Sequence, residues 1–124
     1  MRFSAMKLLV VDDNAEMRRL IISIVRDLAN EIAECADGAD ALAFYTKFQP
    51  DLVLMDLKMP KVDGITATLQ IINEFPTAKI CVVSDYSDEK TKEAARLSGV
   101  SNYVVKENLY EIREIIENCQ NHLR

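Results

Sequence analysis

Five short apolar runs alternate along the chain with five longer segments of helical period, and no other feature constrains the fold as strongly. The runs are Lys7–Val11, Glu31–Cys35, Asp51–Met55, Lys79–Val83 and Asn102–Val105. Three of them carry LLVV, LVLM and ICVV, the near-continuous apolar pattern of strands covered on both faces. Glu31–Cys35 alternates instead, which sets it nearer a sheet edge. Between the runs the period lengthens. Met17, Leu20, Ile21, Ile24, Val25 and Leu28 form one helical stripe, with Asn14 placed as its N-cap. Ala41, Leu42, Tyr45 and Phe48 mark a second helix, with Asp37 placed to cap it. Ile65, Leu69 and Ile72 mark a third, entered through Asp63-Gly64 and stopped before Pro76. Residues 88–98 are charged and alanine-rich and end at Gly99, a C-terminal cap. Leu109, Ile112, Ile115, Ile116, Cys119 and Leu123 make a fifth stripe.

Strict strand–helix alternation implies parallel strands joined by right-handed crossovers, hence a three-layer α/β sandwich. With 124 residues and no repeat, linker or low-complexity tract, a single domain over 1–124 is expected. The formal charge of −5 argues against direct nucleic-acid binding, which calls for an excess of Lys and Arg. Sparse aromatics and the absence of tryptophan argue against a stacking surface for sugars or bases. The three cysteines, Cys35, Cys81 and Cys119, match no zinc spacing. An odd count without a secretory signal or membrane-spanning run points to a reducing, cytoplasmic setting.

In open parallel sheets the ligand site lies beyond the carboxyl ends of the strands. Here strand one ends in Asp12-Asp13, strand three in Asp56, strand four in Ser84 and strand five in Lys106. Unit charges about 4 Å apart interact by roughly 4 kcal/mol at an effective dielectric near 20. Three converging carboxylates therefore call for protonation or a cation. Hard oxygen ligands of this kind suit Mg²⁺. Lys106 could neutralise part of the remaining charge, and Ser84 offers a hydroxyl donor. Taken singly, all of these but Asp56 also have a structural explanation. Asp12 or Asp13 could open the turn into the first helix, Ser84 could be a turn residue, and Lys106 could be solvated. Five such positions on one sheet edge make coincidence the weaker account.

Four blocks, LLVVDDNAEMRRLI, LVLMDLKMPKVDG, ICVVSDYSD and GVSNYVVKEN, resemble the successive signatures of the receiver domain of two-component response regulators. The resemblance runs over essentially the whole chain, in matching order and spacing. It implies a flavodoxin-like, doubly wound fold of five parallel strands in the order 2-1-3-4-5. It implies that Asp56 is the phosphoacceptor, taking a phosphoryl group from a histidine kinase or histidine phosphotransfer protein to form an acyl phosphate. Asp13 would then bind Mg²⁺ directly, Asp12 would help through water, Asp56 would be the third acidic ligand, and the Lys58 backbone carbonyl would complete the set. Ser84 and Lys106 would contact the phosphoryl oxygens. Tyr103 would move from an outward to an inward position and repack the face of helix four, strand five and helix five. That face would signal to an output domain, a target protein or a second copy of the chain. A plainer role for Tyr103 is a half-buried strand aromatic with its hydroxyl in solvent. The family makes such a chain a phosphoacceptor that assists its own phosphorylation and dephosphorylation, not a conventional enzyme.

The chain departs from the family pattern at two positions. Glu107 stands where proline usually follows the strand-five lysine, often through a cis bond, which lets this loop be trans and more mobile and adds a negative charge. Asp85 stands where Ala or Gly is usual, and its carboxylate would repel an incoming phosphodonor if it faced the site. Lys58 and Tyr86 occupy the two variable positions that the family uses to tune phosphoryl lifetime, where bulky Tyr86 would shield the acyl phosphate from water.

Asp85 and Glu107 also support a competing reading, a phosphorylation-independent pseudo-receiver acting as an interaction module. An aspartyl-phosphate hydrolase would want D-x-D on one strand, and a flavin-binding relative a hydroxyl- and glycine-rich first loop; DDNAEM supplies neither. The chain stops where the fifth helix is expected to stop, which suits a stand-alone receiver and one cut from a longer regulator alike.

Overall fold

A computed structural model describes residues 6–122; Leu123, the last position of the fifth stripe, lies outside the described residues. The strands are β1 (Lys7–Val11), β2 (Glu31–Cys35), β3 (Leu52–Met55), β4 (Ile80–Ser84) and β5 (Asn102–Val105). The helices are α1 (Ala15–Val25), α2 (Ala41–Phe48), α3 (Gly64–Glu74), α4 (Glu89–Ser98) and α5 (Glu111–His122). All neighbouring strands pair in parallel, in the order β2-β1-β3-β4-β5. This is the doubly wound order expected from the resemblance, and β2 is indeed an edge strand.

Two strand bounds differ from the apolar runs. Asp51 falls outside β3, and its carboxylate accepts the Lys7 N–H at 2.8 Å. β4 begins one residue later than expected and includes Ser84, which pairs with Val105. The helix caps follow the local chemistry. Asn14, Asp63 and Asp88 accept N–H bonds from Met17, Thr66 and Thr91, satisfying donors that the first turn of each helix leaves free. Gly99 closes α4 at φ 106°, a left-handed conformation that costs a Cβ-bearing residue strain. Two expectations need correction. The stripe ending at Leu28 is α1 only to Val25, after which Arg26–Leu28 tighten into a 3₁₀ turn. Asp37 caps a 3₁₀ turn, Gly38–Asp40, and α2 starts after it with no side-chain cap.

The alternating faces of the sheet feed two apolar layers. Leu8, Val10, Leu54, Cys81 and Val83 pack with Ile21 and Val25 of α1 and Ile112 and Ile116 of α5. Leu9, Val11, Val53, Met55 and Ile80 pack with Ala41 and Tyr45 of α2 and Ala67 and Ile71 of α3. Each fully buried aliphatic side chain contributes about 1.5–3 kcal/mol, so β1 and β3, covered on both faces, form a rigid centre. α4 is held differently. It buries only Ala95 and Ser98, and leaves Leu97 70% exposed. All three cysteines are free and buried among apolar neighbours. No described helix is long and apolar enough to cross a membrane.

Candidate functional site

The rigid centre of the sheet delivers its acids to one edge. The Asp56 N–H donates to the Val11 carbonyl at 2.9 Å, and the Asp12 N–H to the Cys35 carbonyl at 3.0 Å, so both residues leave their strands still tied to the neighbour. Asp12 is 2% exposed and Asp56 6%. Asp13 is exposed at the rim, yet oxygens of Asp12, Asp13 and Asp56 all lie within 4.8 Å of one another. From the end of β5, Lys106 reaches across, its Nζ 3.2 Å from Asp12 Oδ2 and 3.2 Å from Asp56 Oδ1. The two carboxylate oxygens of Asp12 have different surroundings. Oδ1 accepts the Asn14 N–H at 2.8 Å and opens the turn into α1, while Oδ2 faces the cluster.

The electrostatics follow from burial and crowding. Burial pushes the Asp56 carboxyl up to about 6, the Asp12 charge raises it too, and Lys106 pulls against both. Burial also disfavours the Lys106 ammonium, but the charges of Asp56 and Asp12 outweigh it and hold its pKa above the ordinary lysine value. One cation thus serves two buried carboxylates, with a third beside them. Asp12 Oδ2 is buried and accepts no hydrogen bond; the Lys106 ion pair is its partner among the described residues. An anionic oxygen left in that condition, within a cluster of carboxylates, fits a hard divalent cation.

Ser84 and Tyr103 converge on one residue. Ser84 is 1% exposed, and its Oγ accepts the Tyr86 N–H at 3.0 Å. The Tyr103 hydroxyl donates to the Tyr86 carbonyl at 2.7 Å, while its ring packs against Leu57, Val82 and Ala95. Burial raises the Tyr103 hydroxyl pKa. Tyr103 is half-buried on β5, as its plainer role has it, and its hydroxyl makes this bond at an exposed position because the ring lies close to the β4–α4 loop.

Lys58 and Tyr86 touch. The Lys58 ammonium lies 5.7 Å from the Tyr86 ring centroid, within cation–π range, and both line a groove with Leu57, Asp63, Ile65 and Thr91. Asp85 and Glu107 are exposed and stand outside the Asp12, Asp13, Asp56 group. Glu107 lies in a 3₁₀ turn, Lys106–Asn108, and the described residues include no cis peptide bond, so the Lys106–Glu107 bond is trans.

Three supporting residues carried no sequence signal for this role. Gly64 approaches β3 so closely that a Cβ there would collide with the Asp56 carbonyl oxygen, and its N–H donates to the Leu57 carbonyl at 2.8 Å. Asp37 accepts N–H bonds from Lys61 and Val62, both at 3.1 Å, so the turn after β2 holds the loop after β3. Arg18 bonds the Asp12 carbonyl at 2.6 Å. Asp-Gly is visible as a turn pair in the sequence, but contacts between loops are not.

The fold and the site define a doubly wound α/β protein with a lysine-bridged carboxylate cluster at its carboxyl edge. The family model for the response regulator receiver domain matches residues 8–117, and the chain belongs to that family. It is 36% identical over 102 residues to chemotaxis protein CheY of Listeria monocytogenes, covering 82% of this chain and 86% of that protein. It is 34% identical over 119 residues to the uncharacterized transcriptional regulatory protein YhcZ of Bacillus subtilis, covering 94% of this chain. The chain spans only 55% of the length of YhcZ. Among solved structures, the response regulator domain of Thermotoga maritima CheB superposes with a TM-score of 0.85 at 25% identity, covering 95% of this chain and 98% of that one. A chain of the CheX–CheY–BeF₃–Mg²⁺ complex of Borrelia burgdorferi superposes at 0.84 with 25% identity, covering 91% of this chain and 87% of the matched one.

Proposed function

We propose that the chain is a phosphorylation-controlled switch with Asp56 as phosphoacceptor. The observation that carries this reading is the Lys106 ammonium, 3.2 Å from both Asp12 and Asp56 at the carboxyl edge of the central strands. An Asp56 oxygen attacks the phosphorus of a phosphohistidine on a kinase or phosphotransfer protein. The P–N bond breaks, its electron pair leaves with the imidazole nitrogen, and an acyl phosphate forms. Phosphoryl transfer depends chiefly on positioning and charge stabilisation. Lys106 neutralises equatorial oxygen charge; Ser84, whose Oγ accepts from Tyr86, keeps its own O–H to donate to one of them. Asp12, Asp13, Asp56 and the Lys58 carbonyl would hold Mg²⁺, which supplies Lewis-acid charge neutralisation when bound. With a pKa of about 6, Asp56 is largely ionised at neutral pH, as a nucleophile requires.

Ser84 and Tyr103 both bond the Tyr86 main chain, so a pull on Ser84 changes the setting of Tyr103 and, with it, of the lightly anchored α4. The signal is a population shift, as large as the difference in phosphoryl stabilisation between two arrangements of that loop. The α4–β5–α5 face would pass it to an output domain, a target protein or a second copy, in the cytoplasm. The chain assists its own phosphorylation and dephosphorylation and does not act as a conventional enzyme. Asp85 and Glu107 lie at the surface, where they bias the approach of a donor without entering the buried cluster.

Incubation with Mg²⁺ and acetyl phosphate, read by intact mass, tests this. Wild type gains one phosphoryl group and Asp56→Asn gains none. Absence of both modification and any Mg²⁺- or beryllium fluoride-dependent NMR change in wild type would overturn this reading and favour the pseudo-receiver.

A further inference from the structure

Both main-chain groups of Asp12 are tied to the edge strand. Its N–H donates to the Cys35 carbonyl at 3.0 Å. Its carbonyl accepts from Arg18 Nη1 at 2.6 Å, and the Arg18 Nε donates to Glu34 Oε1 at 2.8 Å. Glu34 and Cys35 are consecutive on β2, so two adjacent residues of the edge strand hold Asp12 from both sides, Cys35 directly through its carbonyl and the Glu34 side chain through a guanidinium. Arg18 is well placed for this. It lies in the first turns of α1, its N–H donates to the Asn14 carbonyl at 3.0 Å, and its side chain is 15% exposed. The adjacent Arg19 is exposed, so the tandem arginines have different environments.

We propose that Arg18 is a positioning residue for Mg²⁺ binding, with Glu34 as its anchor; the inference rests on the metal site proposed above. Two effects of opposite sign compete. A guanidinium near a dication site repels the incoming ion, whereas a clamp on Asp12 holds Oδ2 where the ion needs it. The Glu34 carboxylate at 2.8 Å cancels most of the guanidinium charge as seen from the site, so the pair acts there as a weak dipole. The planar fork serves two acceptors at once, which a lysine point charge cannot do in the same geometry. Positioning therefore outweighs repulsion, and the sign of the effect becomes the test.

The test is a Mg²⁺ titration of the full chain followed by NMR at the Asp12 and Asp13 amides, with thermal melting in EDTA alongside. Residues that orient metal ligands typically contribute tenfold or more to affinity. Arg18→Met is expected to weaken Mg²⁺ binding roughly tenfold, Glu34→Gln several-fold, and Arg18→Lys to an intermediate extent, all with native-like spectra. Should Arg18→Met fail to fold, Glu34→Gln and Arg18→Lys carry the comparison. Wild-type Mg²⁺ binding with unchanged or tighter affinity in these variants overturns the clamp alone, whatever happens to melting. No Mg²⁺-dependent shift in wild type overturns the clamp and the metal site together.

Discussion

The Tyr103 hydroxyl donates to the Tyr86 carbonyl at 2.7 Å, joining β5 to the loop that follows β4. Tyr103→Phe removes that bond and leaves the ring on Leu57, Val82 and Ala95. A loss of about 0.5–1.5 kcal/mol in urea unfolding is expected, the usual net value of one hydrogen bond. Faster amide exchange should be confined to Tyr86–Asp88, the segment the bond restrains. Uniformly faster exchange would show that the hydroxyl does not act on this loop.

Asp56 sets a pH dependence with a definite sign. Its folded pKa of about 6 lies above the ordinary carboxylate value, so the folded state holds the proton more tightly than the unfolded chain. Below about pH 4 both states are protonated and the group costs nothing. Between about 4 and 6 the unfolded chain ionises first, so stability falls as pH rises. Above the folded pKa the full penalty stands. In EDTA, Asp56→Asn should exceed wild type by roughly 2–3 kcal/mol at pH 7.5, and the gap should close near pH 3.5. Urea unfolding across that range checks both the sign and the window.

Lys106→Met leaves Asp12 and Asp56 facing each other without their shared cation. The Asp56 carboxyl is then expected to titrate above its wild-type value, because the charge and hydrogen bond that lower it are gone. Carbon-13 NMR of the side-chain carboxyls reads this directly. Mg²⁺ should bind more tightly to the variant, since no ammonium competes for the same two carboxylates. Weaker Mg²⁺ binding would mean that Lys106 orders the site more than it repels the ion.

Gly64→Ala drives a Cβ into the Asp56 carbonyl oxygen, a main-chain atom that cannot swing aside. The loop must shift, at a cost of about 1–3 kcal/mol typical of overpacking. The Asp56 amide resonance should move and Mg²⁺ affinity should fall with it. An unshifted Asp56 amide in a stably folded variant would contradict the close approach.

Much of the fold was legible because its signals are local. The LLVV, LVLM and ICVV runs marked buried strands, and Asn14, Asp63, Asp88 and Gly99 marked helix ends within a residue. The errors also have local causes. Asp37 looked like the cap of α2, since a turn of 3₁₀ and a turn of α begin with the same Asx chemistry. Leu28 continued the α1 stripe because an apolar period persists through a 3₁₀ turn that tightens the backbone.

By itself the sequence determined the elements, their order and the delivery of Asp12, Asp13, Asp56, Ser84 and Lys106 to one sheet edge. Period and strand polarity decide these, and both are written in neighbouring residues. Only the tertiary structure decided which atoms meet. Lys106 bridges Asp12 and Asp56, Ser84 and Tyr103 share the Tyr86 main chain, and Arg18 links Asp12 to Glu34. Such pairings join residues far apart in the chain through backbone groups, which every residue type carries. Residue identity alone therefore cannot announce them; they exist once the strands are registered and the loops have closed.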